Sequence, residues 1–434
     1  MTPFTIELED RLRYSPAVRG LLAGWKSFRV RNPGSDPQQI AAAIDKLCGA
    51  ARLAADRGQL LRIEERISEL VRRLNGATFD WRPFEESAAK RRIENAVVLK
   101  PYISEREKGV VYISFEYQWI RLLQNCDIKE FARRYQLVLS PVWAVPHGLV
   151  NYVLPAIWPG KVFCHLSDPN DAEILPRMSA NYVVVPLLCS SWVHPDLYRP
   201  VPYEKKDIDI VMLANFGKYK RHHVLFRALR DMPRSTRVVL IGQHNGARTA
   251  DVLRAEARAY GVEDRFELKV SPPDAEMLDA LARARTSLIL SRREGSCVAI
   301  VESIFANTPA ALLEGAEVGS RQFINPSTGR FLREQNLAAD LMDFIAESQR
   351  YTPREWALQN KISCFGSSAT LNRVVRDHCL KDGQEWTQDL AEFHWRPNPT
   401  LIHEADRPRM ASSYQDIEDR FGISLGRPPA APGN

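Results

Sequence analysis

The feature that most restricts the fold is a series of short apolar runs that alternate with segments of helical period over residues 207–345. Three of these strand-like runs are DIVMLANF (209–216), RVVLIGQHNG (237–246) and RFELKV (265–270). No hairpin signals separate them, and strands that alternate with helices form a parallel sheet covered on both faces. Ligands bind such open sheets at the carboxyl ends of the strands. Residues that directly follow these runs are therefore candidate binding residues.

The turn after the strand-like run 286–290 carries the strongest functional signal. Glu294, Gly295 and Ser296 lie where a helix is predicted to begin, and seven residues separate Glu294 from Glu302. Free N–H groups and the positive end of the dipole at a helix start favour a bound phosphate. Glu294 can accept hydrogen bonds from hydroxyls beside that phosphate, and Glu302 can reach a second polyol. Two solvated glutamates on an amphipathic helix would give the same spacing.

A basic cluster follows the first run of the series. Lys218, Lys220 and Arg221 lie in a loop just before a predicted helix. This loop and the Glu294 turn both follow strands, so both are expected at the same edge of the sheet. A cationic loop that faces a helix N-terminus provides a diphosphate site, and with two carboxylates beside it the site suits a nucleotide-sugar.

Residues 207–345 resemble the nucleotide-binding domain of glycosyltransferase family 4, whose members have the GT-B fold. The resemblance rests on five segments in the family's order and spacing: LANFGKYKR, the strand end IGQ, FELKV, the E-x7-E motif and ANTPAALLEG. The chain has Ala214-Asn215 where the family usually has Gly-Arg, and Arg221-His222 where it usually has Lys-Gly. The candidate diphosphate ligands are therefore Asn215, Lys218, Lys220, Arg221, Gly295 and Ser296.

The resemblance implies transfer of a sugar from a nucleoside-diphosphate sugar to an acceptor hydroxyl, with retention at the anomeric carbon. It implies no metal and no separate cofactor, because basic residues and a helix dipole neutralise the departing diphosphate. Glu294 would bind the sugar hydroxyls and Glu302 the ribose. Backbone near Lys269 and Val270 would contact the base. The acceptor, a glycan, a lipid-linked glycan or a protein, stays open.

The N-terminal half supports the same fold. By the resemblance, the segment LPAIWPGKVFCHLSDPND places His165 at a strand end, where the family's histidine contacts the donor sugar; a half-buried structural histidine is the alternative. His147 and Glu116 are weaker candidates for the acceptor side. The family's Gly-rich loop is missing, and FEYQW (115–119) follows the first strand instead. Four strand-like runs are KGVVYISFE (108–116), YQLVLSPVW (135–143), GKVFCHLSD (160–168) and NYVVVPL (181–187).

The expected fold class is α/β, of the GT-B type, with two Rossmann-like parallel-sheet domains facing a cleft and an N-terminal helical extension. The helices after residue 350 are expected to cross back to the N-terminal domain. The predicted boundaries are a helical extension at 1–95, an acceptor domain at 96–201, a nucleotide-sugar domain at 202–350, C-terminal helices at 351–410 and a partly disordered tail at 411–434.

The first 95 residues are predicted to be helical. Residues 38–74 have apolar residues at helical spacing, and Arg57-Gly58 divides them into a helix pair. This pair would pack on the core or on a partner chain, or lie on a membrane surface. Mixed charges on its polar face argue against strong membrane binding. A peripheral membrane contact or a homo-oligomer contact through residues 1–95 therefore stays open.

Charge and cysteine usage restrict the partners and the compartment. The net charge of +6 allows an acidic substrate or an anionic membrane surface but does not indicate nucleic acid. Seven scattered cysteines without a C-x-x-C pair indicate reduced thiols in the cytoplasm. The N-terminus lacks the apolar region of a secretory signal, and no apolar run approaches the ~20 residues that span a bilayer. The expected location is the cytoplasm, with peripheral attachment at the inner face of the membrane left open.

The sequence also bears on functions other than sugar transfer. A catalytically silent GT-B-like subunit, which binds a nucleotide-sugar or a partner, is the main alternative, because the Gly-rich loop is missing and Asn215 replaces an arginine. A phosphorylase or sugar epimerase would share the phosphate site, although an epimerase needs further carboxylates. An NAD-dependent oxidoreductase is disfavoured because no G-x-G-x-x-G follows a strand.

Overall fold

The protein is described by a computed structural model that covers residues 2–142, 145–396 and 398–426. The chain divides into two compact units. The first unit comprises Met1–Tyr14 and Val193–Ser363, and the second comprises Ser15–Trp192 and Cys364–Asn434. Each unit contains its own α/β sheet.

Helices account for most of the segments between the strands. Several begin at a side-chain cap, such as Ser15, Asp36 and Asp56, each of which accepts a hydrogen bond from a backbone N–H in the first turn. The α-helices are α1 (Pro3–Tyr14), α2 (Pro16–Arg29), α3 (Pro37–Ala51), α4 (Arg57–Leu74), α5 (Glu116–Asn125), α6 (Ile128–Arg134), α7 (Leu149–Ile157), α8 (Asp171–Met178), α9 (His222–Leu229), α10 (Ala250–Ala259), α11 (Asp274–Arg283), α12 (Val298–Phe305), α13 (Leu337–Glu347), α14 (Pro353–Gln359), α15 (Cys364–Lys381) and α16 (Asp406–Phe421).

Each strand-like run of the sequence overlaps a strand, and further strands occur outside these runs. They are β1 (Arg92–Ile93), β2 (Ala96–Lys100), β3 (Gly109–Ser114), β4 (Tyr135–Ser140), β5 (Val162–Leu166), β6 (Tyr182–Leu188), β7 (Ile208–Leu213), β8 (Val238–Gly242), β9 (Glu267–Val270), β10 (Ala284–Ile289), β11 (Arg293–Glu294), β12 (Ala310–Leu313), β13 (Glu317–Val318), β14 (Gly329–Leu332), β15 (Phe393–Trp395), β16 (Pro399–Leu401) and β17 (Ser424–Leu425).

The sheet of the first unit is parallel and has the order β14-β12-β10-β7-β8-β9. The chain starts at β7 in the middle, builds outward to β9, and then returns to add β10, β12 and β14 on the other side. The switch point of this topology lies between β7 and β10, where open α/β sheets bind their ligands. The loops that follow these two strands hold the basic cluster and Glu294.

The sheet of the second unit has the order β2-β3-β4-β5-β6. Strands β3 to β6 are parallel, as their alternation with helices predicts. Strand β2 was not predicted from the sequence and pairs antiparallel with β3. All five of its residues are buried. The predicted all-parallel sheet therefore has one antiparallel edge strand, joined to β3 through a turn closed by Ser104 and Glu107.

Two segments differ from the predicted boundaries. The region 1–95 is divided, because α1 belongs to the first unit while α2, α3 and α4 belong to the second. Residues 364–434 also belong to the second unit. The segment predicted as a partly disordered tail contains most of α16, and β17 within it pairs parallel with β1. The terminal RPPAAPGN lies outside the described residues.

Helices α3 and α4 are the predicted helix pair, and they pack within the second unit. Most of their apolar residues are buried, and Ile44, Leu47 and Ile67 are fully buried. The two helices pack on each other and on α7 of the same unit. The apolar face of residues 38–74 is therefore core and is not presented to a membrane.

A substitution of Gly242, at the end of β8, can test how closely β8 approaches the residue that follows β7. A Cβ atom at this position would lie 1.9 Å from the carbonyl oxygen of Ala214. We expect Gly242→Ala to lower the free energy of unfolding by about 2–3 kcal/mol, because backbone must move to admit the methyl group. Gly34→Ala is the control, since nothing lies within 4 Å of its Cβ position. Equal urea midpoints for the two variants would contradict this packing.

Candidate functional site

An ion pair between Lys220 and Glu294 lies at the centre of the candidate site. It connects the loop after β7 with the turn after β10, at the switch point of the sheet. The side chains are only 10% and 13% exposed. Burial acts to lower the pKa of Lys220, but the neighbouring Cys297 and Glu294 more than offset this and raise it. Lys220 is therefore a charged group in a largely dehydrated position.

Glu294 is held in place by a short parallel pairing. Its strand β11 pairs with β13, so that Glu294 lies opposite Val318. One carboxylate oxygen, Oε1, accepts from Lys220. The other, Oε2, is buried and has no hydrogen-bond partner among the described residues. A buried carboxylate oxygen without a donor is costly, so this atom is suited to accept a hydrogen bond from a ligand.

Arg221, predicted to bind the diphosphate, is surrounded by partners within the protein. Its side chain is fully buried, and its backbone is in the left-handed region at φ 56°. Its Nη2 donates to Asp10 Oδ2 and Glu334 Oε1, both at 2.8 Å, and its Nε donates to Asp10 Oδ1 at 3.0 Å. Its Nη1 donates to the carbonyl of Leu290 at 3.3 Å. The guanidinium is thus used to fasten α1 and the end of β10 to the loop.

Helix α1 also supplies a partner for Lys218. The Lys218 Nζ lies 2.7 Å from both carboxylate oxygens of Glu9, and its side chain is 41% exposed. On the same helix, Glu7 accepts from Tyr260 Oη at 3.3 Å. Sequence reasoning missed this role of α1. The available signal was the acidic group of Glu7, Glu9 and Asp10 in a segment otherwise treated as part of an extension.

Asn215, which replaces the family's arginine, shapes the loop after β7. Its amide Nδ2 donates to Tyr219 Oη at 2.7 Å, and its Oδ1 accepts from the N–H of Gly217 at 3.0 Å. Both ends of the amide are therefore engaged within the loop. Among the predicted diphosphate ligands on this loop, Lys220 is the one paired with Glu294.

Glu302 lies on α12 and is 3% exposed. Its Oε1 accepts a hydrogen bond from Tyr198 Oη at 2.9 Å, and this contact is buried. Tyr198, which precedes β7, was not singled out from the sequence. The predicted ribose ligand is therefore oriented by a tyrosine in the interior of the unit.

The remaining candidates of the first unit lie on neighbouring turns. The carbonyl of Gly295 accepts from Gly319 N–H at 3.0 Å, and Ser296 precedes α12, which begins at Val298. Strand β9 carries the predicted base-binding residues. Lys269 there is paired with Glu267 and Glu276, and Val270 is 39% exposed.

The histidine candidates lie in the second unit. His165 is at the end of β5 and fully buried, with ring centroids 5.6 Å from Tyr112 and 5.3 Å from Trp192. Neither of its ring nitrogens has a hydrogen-bond partner among the described residues. Burial lowers the pKa of His165 to about 3, so the ring is neutral at pH 7.

The two acceptor-side candidates are also in the second unit. Burial, followed by the charge of Arg52, lowers the pKa of His147 to about 4. The carbonyl of His147 accepts from Arg52 Nη2 at 2.7 Å. Glu116 is the first residue of α5 and accepts from the N–H of Val142 at 3.3 Å. Both residues therefore make hydrogen bonds to other residues of the second unit.

Two features are absent from the described residues. Over residues 2–142, 145–396 and 398–426, no group of three or more His, Cys, Asp or Glu side chains is placed to hold a metal ion. Within the same residues, no helix has both the length and the apolar character that crossing a membrane requires.

Most of the first unit is similar to a known protein family. Residues 197–355 match the family described as glycosyl transferases group 1. This part of the chain is similar to the glycosyl transferases of group 1. The resemblance to glycosyltransferase family 4 that the sequence predicted is thereby confirmed. The matched residues include Lys220, Glu294 and Glu302.

A curated relative and two solved structures extend this result. The GDP-mannose:cellobiosyl-diphosphopolyprenol alpha-mannosyltransferase of Komagataeibacter xylinus is 26% identical over 172 residues, 39% of this chain and 42% of that protein. The match therefore spans less than half of the relative. A sucrose-phosphate synthase from Thermosynechococcus elongatus has a TM-score of 0.50 at 15% identity, over 73% of this chain and 80% of that one. Anabaena HepE, solved in complex with UDP, has a TM-score of 0.50 at 14% identity, over 61% and 78%. The predicted GT-B fold class is confirmed by these structures.

Asp10 tests the attachment of α1. We expect Asp10→Asn to lower the free energy of unfolding by about 3 kcal/mol, because it leaves the buried Arg221 with one carboxylate fewer. The matched control is Glu9→Gln. Glu9 pairs with Lys218 at an exposed position, so its loss should cost less than about 1 kcal/mol. Urea titration measures both changes, and equal losses would contradict the assignment of the buried pair.

Proposed function

We propose that the chain transfers a sugar from a nucleoside-diphosphate sugar to an acceptor hydroxyl. The observation that carries this proposal is the pair Lys220–Glu294 at the switch point of the sheet, within the residues similar to the glycosyl transferases of group 1. It combines a buried cation with a carboxylate oxygen, Oε2, that has no partner among the described residues. A donor with a diphosphate beside a sugar offers an anion to the first and hydroxyl groups to the second.

The proposed reaction uses this pair as follows. The bond between the anomeric carbon and the diphosphate breaks, and its electron pair leaves with the diphosphate. The acceptor oxygen bonds to the anomeric carbon, and its proton passes to an oxygen of the departing diphosphate. Lys220 stabilises the charge that develops on the departing diphosphate, and such electrostatic stabilisation usually lowers the barrier more than any other single effect. Lys218 and the N–H groups of Gly295 and Ser296 would add to this stabilisation.

Other contacts of the donor are proposed by the resemblance. Glu294 would hold the sugar hydroxyls, and Glu302, oriented by Tyr198, would hold the ribose. The backbone at Lys269 and Val270 would contact the base. His165, neutral because of its burial, would contact the donor sugar. Retention at the anomeric carbon and independence from metal belong to the same proposal.

The donor and acceptor are proposed as classes. The Komagataeibacter relative is named for GDP-mannose and a diphosphopolyprenol-linked saccharide, and Anabaena HepE was solved with UDP. GDP-sugars and UDP-sugars are therefore the first donors to test, and a lipid-diphosphate-linked saccharide is the first acceptor. A peripheral contact through residues 1–95, with a membrane or with a second copy of the chain, is part of this proposal.

A catalytically silent subunit is the second candidate. It is favoured by the engagement of Lys218 by Glu9 and of Arg221 by Asp10, which leaves fewer cations for a diphosphate. The two candidates differ in donor hydrolysis. A transferase should slowly release nucleoside diphosphate without an acceptor, whereas a silent subunit should release none.

Glu294→Gln tests the proposed transfer. It removes the charge and one strong acceptor, and we expect kcat for nucleoside diphosphate release to fall by at least about 100-fold. The matched control is Glu317→Gln on the paired strand β13, where the carboxylate is 61% exposed and pairs with Arg293. Thermal unfolding shows whether both variants are folded. Full activity of Glu294→Gln with the preferred donor would refute the assignment.

A further inference from the structure

Helix α2 packs through its small residues. Gly20 faces the residues that lead into α4, since a Cβ atom there would lie 3.0 Å from the Cβ of Ala55. Ala23 is fully buried, and the carbonyl of Ser27 accepts from Arg66 Nη1 at 2.8 Å. The inner face of α2 is therefore narrow and poor in apolar volume.

The large apolar residues of α2 point the other way. Leu21 is 76% exposed, Trp25 54% and Phe28 87%. Their spacing of four and three residues places them on one face of the helix. Helices of globular proteins normally turn such residues toward the core, and α2 does the reverse. A contiguous exposed apolar face of this kind marks a site of interaction with a membrane or with another protein.

Two exposed basic residues of α2 accompany this apolar face. Lys26 and Arg29 are exposed, and the Arg29 guanidinium lies 4.6 Å from the centre of the Trp25 ring. Residues 11–35 contain no acidic residue. Their basic residues are Arg11, Arg13, Arg19, Lys26, Arg29 and Arg31.

The preceding helix shows the same kind of face. Phe4 of α1 is 74% exposed, Leu8 44% and Leu12 48%, at intervals of four residues. The acidic side chains of α1, in contrast, are directed to Lys218, Arg221 and Arg227 of the first unit. Both N-terminal helices therefore expose large apolar residues in the described part of the chain.

We propose that α2 docks the protein on an anionic membrane surface. Leu21, Trp25 and Phe28 enter the interface between headgroups and acyl chains, and Lys26 and Arg29 contact the anionic headgroups. This combination of aromatic and aliphatic residues with basic residues is what interfacial helices use. The proposal specifies the peripheral contact through residues 1–95 that was proposed above, and it does not depend on the sugar transfer.

Charge favours a membrane over a second copy of the chain. A symmetric contact would bring the same patch of two chains together. Lys26 and Arg29 of one copy would then approach the same residues of the other, with no acidic residue in 11–35 to compensate. An anionic bilayer supplies the opposite charge. The pair α3 and α4, considered for this role from sequence, instead buries its apolar residues.

Vesicle co-sedimentation of the full chain, without nucleotide, tests the docking. We expect binding to vesicles of mixed phosphatidylcholine and phosphatidylglycerol, and much less binding to phosphatidylcholine alone. The combined variant Leu21→Ser, Trp25→Ser and Phe28→Ser should reduce the partition coefficient at least about tenfold. Lys26→Glu with Arg29→Glu should weaken binding and its dependence on salt. Leu380→Ser, at a residue of the same unit that is 51% exposed, is the control and should bind as the wild type does.

Two results would overturn the proposal. One is equal binding of the wild type and the triple variant, with both shown to be folded by thermal unfolding. The other is no binding to anionic vesicles together with a dimer, seen in sedimentation equilibrium, that the triple variant dissociates. In the second case α2 would be an interface between copies. Because neither assay involves a donor, failure here leaves the proposed sugar transfer to its own test.

Discussion

The buried charge of Arg221 is the interaction on which the first unit depends. An ion of this size can be buried only when its donors are satisfied, and the partners come from distant parts of the chain: Asp10, Glu334 and the carbonyl of Leu290. Burial acts to raise the pKa of Glu334, but Arg221 and Arg292 lower it to about 2. The network remains ionised over the whole physiological range and fixes the loop after β7 against the end of β10.

The site follows from that arrangement. Because Arg221 anchors the loop, the preceding residue, Lys220, is placed beside Glu294 with little freedom to move. The same network brings α1 over the loop, where Glu9 contacts Lys218. Lys220 is thus held in the interior for the proposed diphosphate. Lys218 is held at the surface by α1, from the N-terminal part of the chain. The packing of α1 on this unit and the geometry of the site therefore depend on the same network around Arg221.

Much of this architecture could be predicted from sequence, because the deciding information was local. The buried parallel strands are continuous apolar runs, and Glu294 and Glu302 have a fixed spacing on one turn and helix. Contacts between distant residues could not be predicted. Asp10 and Arg221 are separated by 211 positions, and Tyr198 and Glu302, which share a hydrogen bond, by 104. The antiparallel β2 is not announced by a recognisable turn in the sequence. The outward face of α2 was also missed, since periodicity gives an amphipathic helix but not the direction in which its apolar side points.

The role of Lys220 can be tested by calorimetric titration of GDP and UDP into the wild-type protein and the Lys220→Met variant. We expect one nucleoside diphosphate to bind the wild type and Lys220→Met to weaken this binding at least about tenfold, since a charge-assisted contact contributes about 1.5–3 kcal/mol. Glu317→Gln should bind as the wild type does. Equal affinity of the wild type and Lys220→Met would contradict the assignment of Lys220 to the diphosphate, and with it the proposed donor site.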